Sequence, residues 1–281
     1  MSTSIDQVFI QQWEAEVKVA FQRQGSLLRN MVRRKDGVRG SATHFPTVGK
    51  GVAGTKARQG LVPTMNVSHA EVTCTLVDVY AGDWIDKLDE LKTNIDERKV
   101  LTDAGAYALG RAADAQIITA LAAGTNTTGA LTLTSGATIR NGFLTTVGAL
   151  HARDVPADGQ VFGAVSWEIW EAMMTIDQFV RSDYVGPDLP YKSITPIKNW
   201  LGVNWAPHTG LPKAGNVRTG FVWHKDSVGQ AVGQDVTSDM QWVLPRASTF
   251  VANWMSMGAA LIDTIGVQKF TVDESTALPS T

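Results

Sequence analysis

Cysteine is nearly missing from this sequence: Cys74 is its only one in 281 residues. A disulfide within the chain is therefore excluded, which fits a reducing cytoplasm, and Cys74 reads as a small apolar strand residue. Long apolar runs are missing too. No stretch approaches about 18 uninterrupted apolar residues, so no spanning helix is expected. The opening "MSTSIDQVFIQQWEAE" carries acids and lacks the apolar core of a secretory signal. Charge is sparse, at 19% of residues with a formal net charge of −2. The chain as a whole is not a polyanion binder, and a nucleic-acid role would need a local basic patch.

The usual signs of chemistry are also thin. The histidines are His44, His69, His151, His208 and His224. None forms an i, i+4 pair and no Cys–His cluster can form, so no metal site is expected. There is no G-x-S-x-G and no cysteine beside a histidine signature. Ser227 stands near His224 and Asp226 in sequence only. Asp86 with Asp89 and Glu90 reads as a solvated helical face. No catalytic residue and no cofactor is expected.

One stretch resembles a phosphate loop. "TVGKGVAGTKARQG", residues 47–60, begins G-x-x-x-x-G at Gly49 and Gly54, but Thr55 and Lys56 follow in reversed order. A functional phosphate loop needs a helix opening on Lys and Ser/Thr. Gly60 and Pro63 oppose a helix there, so the glycines read as flexibility. A nucleotide-binding protein or enzyme using this loop is the rival reading from another class.

Apolar residues make up 44% of the chain and 26 residues are glycine. That supports one large domain or two smaller ones, rich in loops. The nine tryptophans are spread along the chain and read as core and interface anchors. Charge is unevenly arranged. From Phe21 to Gly60 there are nine basic residues against one acid, Asp36; from Leu61 to Val100 there are eight acids against four basic residues. The basic candidates are Arg29, Arg33, Arg34, Lys35, Arg39, Lys50, Lys56 and Arg58. The acidic candidates are Asp83, Asp86, Asp89, Glu90, Asp96 and Glu97. Two solvated faces would explain this. The sharper reading lays the basic loop of one copy on the acidic face of the next, where complementarity sets register.

Periodicity predicts an amphipathic helix over 5–24 with Val8, Phe9, Trp13, Val17, Ala20 and Phe21 inward. Residues 30–64 have no helical period and contain six glycines and two prolines; short strands such as "THFPTV" would make them a long two-stranded finger. "AEVTCTLVDVYAGDW" (70–84) alternates as one strand. "DWIDKLDELKTNIDER" (83–98) reads as a helix capped by Asp83, followed by a longer helix over 100–123. A turn-rich connection (124–136), a helix (139–153), the strand "QVFGAVS" and a helix capped by Ser166 come next. Residues 201–216 read as a long loop, and the rest as strands closing on a polar tail.

This order of parts resembles the major capsid proteins of tailed bacteriophages. "YAGDWIDKLDELKTNIDERKVLTDAGAYALGRAADAQIITAL" is similar to the family's peripheral helices, and "FVWHKDSVGQAVG" with "MGAALIDTIGVQKFTVDES" is similar to its closing segment. The resemblance implies an α+β chain with the Hong Kong 97 phage-type capsid fold. Its parts would be an N-terminal arm (1–29), an extended loop reaching over a neighbour (30–64), a peripheral domain with its spine helix (65–139), an axial domain (140–240), and a return with the tail (241–281). It implies a non-enzymatic subunit that self-assembles as hexamers and pentamers around double-stranded DNA. The expected location is the virion, with assembly in the host bacterial cytoplasm. Expected partners are other copies, a portal protein, packaged DNA touched non-specifically, and a decoration protein, with no membrane. Only about 29 residues precede the loop, so a separate scaffolding protein is expected. Some relatives crosslink through a loop lysine; Lys50 and Lys56 are available, but no asparagine partner can be matched. An encapsulin-like nanocompartment shell is the rival reading within the fold.

Overall fold

The computed structural model describes residues 25–88, 97–133, 135–180 and 197–275. They form thirteen strands and four α-helices with three short 3-10 turns, an α+β architecture. The chain divides into two compact units. One contains 79–111 and 236–255; the other contains 26–78, 112–235 and 256–275.

The larger unit is built on a mixed sheet. Its main order is β5 (Thr127–Leu131), β13 (Val267–Asp273), β10 (Val217–His224), β6 (Val161–Val165), β8 (Val203–Pro207) and β7 (Lys198–Trp200), and β9 (Lys213–Ala214) pairs with β10. Side chains alternate across a strand, and here both faces are covered. On β10, Val222 enters one core and Phe221 and Trp223 the other. On β8, Val203 and Trp205 enter the first core and Ala206 the second.

The first core packs against helices α2 (Gly136–His151) and α3 (Trp167–Met173). Phe143 of α2 meets Trp200, Trp205 and Phe270 edge to face, with ring centroids 5.9, 4.9 and 5.7 Å away, an arrangement that aromatic quadrupoles favour. A Cβ at Gly163 would overlap the Trp205 ring, so glycine is required where β6 passes beneath it. The second core takes Ile117, Ile118 and Leu121 from helix α1 (Glu97–Ala122) and Leu28, Met31 and Val32 from the chain's described start.

The remaining elements are β1 (Arg33–Asp36), β2 (Ala42–Val48), β3 (His69–Thr75), β4 (Val77–Asp86), β11 (Val228–Val243), β12 (Ser248–Leu261) and the short helix α4 (Asp177–Val180). Strands β1, β11, β12 and β4 form a sheet in that order, and β2 pairs with β3 alone. In the smaller unit, Trp84 packs on Phe250 at 4.5 Å and Arg246 stacks over Trp84 at 4.4 Å. Ile85, Leu109, Val251 and Met255 are buried.

Several expectations need correction. The single strand over 70–84 is two strands in different sheets, broken at Leu76, whose amide bonds to Ser41. Asp83 is not a helix cap: it lies on β4, and its carboxylate takes the amide of Trp84. The expected helical stripe of Trp84, Leu88, Leu91 and Ile95 starts on a strand instead: Trp84 lies on β4 and packs on Phe250, while Leu91 and Ile95 lie outside the described residues. The connection 124–136 hides β5, and the loop 201–216 hides β8, whose Trp205 is fully buried. The long helix begins at Glu97 rather than Val100. Ser166 caps its helix as expected, taking the Ile169 amide at 3.2 Å. The expected helix 5–24 and the polar tail after Ser275 lie outside the described residues.

Candidate assembly surface

The finger is rooted before it is extended. Strands β2 and β3 pair antiparallel from Ala42↔Thr75 to Val48↔His69. Thr43, Phe45 and Cys74 point inward and are buried. Phe45 and Cys74 meet Ala231 of β11, with Val38, Leu76, Ala260 and Ile262 around them. Burial also pushes the Cys74 thiol up, the only opposition being a backbone hydrogen bond at Ala231, so it behaves as an inert strand residue. Gly37 and Gly40, with φ of 68° and 106°, turn the chain between β1 and β2, a region that favours glycine.

Beyond Val48 the pairing ends. One backbone bond, Gly49 N–H to Ser68 O at 2.8 Å, closes the base of a twenty-residue loop, and Gly60 N–H to Ala57 O marks a turn at its far side. Val52, Leu61, Val62 and Met65 are 78, 94, 74 and 57% exposed. No helix follows Gly54; the loop runs on to β3. The phosphate-loop reading fails on this geometry, because no helix N-terminus faces the glycines.

The basic candidates do not form one free surface. Arg29 grips Asp235 with both terminal nitrogens, Nη1 to Oδ1 at 2.9 Å. Arg34 pairs with Asp36 and reaches Asp235 at 3.5 Å. Lys50 pairs with Asp154, and Lys50 holds that carboxyl below its ordinary range. Lys35 donates to Thr43 Oγ1 at 2.7 Å and Lys56 to Gly60 O at 3.2 Å. Arg33, Arg39 and Arg58 are exposed. Asp235 and Asp154 are thus the carboxylates that hold Arg29 and Lys50, and sequence reading missed both because they lie far along the chain.

Of the acidic candidates, Asp83 and Asp86 are exposed on β4, and Asp86 takes the Leu88 amide at 2.8 Å. Asp89, Glu90 and Asp96 lie outside the described residues. Glu97 opens α1, and its side chain lies outside them as well.

Two buried carboxylates were not singled out by sequence. Asp114, in the middle of α1, is fully buried. It takes the Ser26 hydroxyl, the amides of Leu27 and Leu28, each at 3.1 Å, and His208 Nε2 at 3.2 Å. Gly210 N–H donates to His208 Nδ1, so the imidazole carries its proton on Nε2 and donates it to Asp114. Burial favours the neutral acid, but these donors outweigh it and hold the Asp114 carboxyl below its ordinary range. The contact ties the described start of the chain to α1 and to the loop after β8.

Glu274, at the end of β13, takes Arg218 Nε at 2.9 Å and has Lys213 Nζ 2.8 Å from its other oxygen. Burial again opposes its charge; the hydrogen bonds from Arg218, Lys213 and Ser166 prevail and bring it down to about 2.

Among the described residues no group of three or more His, Cys, Asp or Glu side chains could hold a metal ion. No described helix is long and apolar enough to cross a membrane.

A family model described as phage capsid protein matches residues 5–274. Several solved structures share the fold. The capsid of the cyanophage P-SCSP1u is 15% identical over 97% of this chain and 95% of that one, with a TM-score of 0.76. A structure from Mycobacterium phage Che8 is 17% identical over 96% and 98%, with a TM-score of 0.76. The bacteriophage PhiM1 mature capsid is 13% identical over 97% and 93%, with a TM-score of 0.73. None of the curated protein sequences matches.

Proposed function

The chain belongs to the phage capsid protein family, and from that premise we propose how it builds a shell. It is a structural subunit of a tailed-phage capsid, with the Hong Kong 97-type fold, and its place is the virion. That family sets aside the nanocompartment and nucleotide-binding readings. The subunits assemble as hexamers and pentamers around double-stranded DNA in the host bacterial cytoplasm. A scaffolding protein directs assembly, a portal occupies one vertex and a decoration protein binds outside. The subunit carries out no catalysis.

The observation that supports this reading most is the loop 49–68. Four large apolar side chains stand out from it, and no part of the described chain covers them. A monomer gains nothing from such exposure. A shell subunit does, because each loop is covered once a neighbour arrives. The cations beside the apolar run, Lys50, Lys56 and Arg58, then meet acids on that neighbour, Asp83 and Asp86 among them. Lys50 would exchange Asp154 for an intersubunit partner, and Arg33 and Arg39 would act from the root of the finger. Exposed pairs of this kind contribute about 0–1 kcal/mol each, so they set register while apolar burial supplies affinity.

The test is electron microscopy of the purified chain, alone and co-expressed with scaffolding candidates. Closed shells, or rings of five and six, are expected. A monomer under every condition would count against the assembly scheme.

A further inference from the structure

The described start of the chain runs along α1 in the helix's own direction. A Cβ added at Gly110 would meet the carbonyl carbon and Cα of Gly25 at 2.6 and 2.7 Å, so the two backbones touch there and only glycine fits. One turn further along α1, Asp114 takes the Ser26 hydroxyl and the amides of Leu27 and Leu28. Gly25 is therefore level with Gly110, and the chain proceeds from it towards the C-terminal end of α1. Continued backwards, that path leads towards Glu97. Gly25 also has a φ of 67°, the left-handed conformation with which a glycine closes a helix, and residues 5–24 carry the apolar period of one.

The stripe of α1 on which this start lies continues beyond it. Val100, Asp103, Tyr107, Gly110 and Asp114 recur at spacings of three and four, which puts them on one side of the helix. Gly105 lies on the other side, where a Cβ would overlap Asn253 of β12. We propose that residues 5–24 form a helix seated on this stripe of their own subunit, parallel to α1, with Val17 and Phe21 over the stretch from Val100 to Tyr107. Both helices rise about 1.5 Å per residue, so the alignment of Gly25 with Gly110 carries back residue for residue. Lys18 then falls level with Asp103, and Glu14 with Lys99, opposite charges each time. Lys99 and Asp103 are exposed, so these pairs set register while the apolar contacts supply affinity. No linker separates the segment from the stripe, because Gly25 already rests on Gly110. The effective concentration is therefore high, which favours the subunit's own segment over a neighbour's. The inference goes beyond the shell reading and does not depend on it.

Disulfide trapping tests it on the full chain. The subunit carrying Lys18→Cys with Asp103→Cys is oxidised at high dilution, denatured, alkylated and weighed by mass spectrometry. A bond within the chain is expected, leaving Cys74 as the only alkylated cysteine and no dimer on a denaturing gel. Alkylation of all the cysteines would overturn the seat. A crosslinked dimer would give the stripe to a neighbour's segment and overturn it as well. Hydrogen exchange of the unaltered subunit covers the case in which the double variant fails to fold. In the dilute subunit the amides of 13–24 should exchange about a hundredfold more slowly than in the unfolded chain. Free exchange there, or protection that arises only on assembly, would contradict the proposal.

Discussion

The loop 49–68 and strand β10 are both rich in apolar side chains, yet they have opposite fates. Phe221, Val222 and Trp223 on β10 are fully buried, each on one of two covered faces. Val52, Leu61, Val62 and Met65 on the loop stay exposed among the described residues. The difference teaches where the chain's stability ends and its assembly begins. Apolar residues that alternate at period two between helices build the subunit; apolar residues among glycines, beyond the last strand pair, are those the proposed assembly would cover.

The contrast breaks most visibly through paired substitutions. Trp205→Ala, in the sheet core, should cost about 3–5 kcal/mol of subunit stability, read by denaturant unfolding. Leu61→Ala should change subunit stability by no more than about 0.5 kcal/mol while lowering shell yield. Equal effects of the two on unfolding would erase the distinction between the regions.

Asp114→Ala sharpens it next. The change removes the carboxylate that accepts the His208 proton and the Leu27 and Leu28 amides, at a cost of about 3 kcal/mol. The folded carboxyl lies below its ordinary value, so its contribution is present above about pH 3.8 and is lost as pH falls through the lower folded value. Asp114→Asn should therefore flatten the acid limb of the stability profile; an unchanged limb would contradict the clamp.

Arg218→Ala comes next. Glu274 titrates near 2 when folded, so the link it makes between the chain's end and β10 is present above about pH 4.5 and fails between there and pH 2. The variant should lose about 1–2 kcal/mol at pH 7 and show less acid dependence across that window by thermal unfolding. Smallest is Lys56→Glu with Arg58→Glu on the loop. Subunit unfolding should be unmoved, while assembly slows and loses part of its salt dependence, measured by light scattering.

Much of this was legible in the sequence, for physical reasons that differ by region. The alternation in "HFPTV" and the glycines around it announced a finger, and "VFGAV" announced a strand, because period and turn chemistry are local. The long helix was legible from its small-residue run. Local reading failed where tertiary partners decide. Trp84 looked helical until Phe250 and Arg246 claimed it for a sheet, and β8 looked like loop because Gly202 and Pro207 bound a five-residue strand. The partners Asp235 and Asp154 were invisible because an ion pair across some 200 or 100 residues leaves no local mark. Asp114 carried a faint signal, an acid in an otherwise small and apolar stretch of helix, which went unread.

The central claim is that residues 49–68 are covered only by another copy of the chain. Hydrogen exchange of that segment, compared between the isolated subunit and the assembled shell, tests it most directly. Rapid exchange in the subunit and strong protection of 59–68 in the shell is the predicted result, with the β10 amides protected in both. Equal exchange of 59–68 in the two states would contradict it.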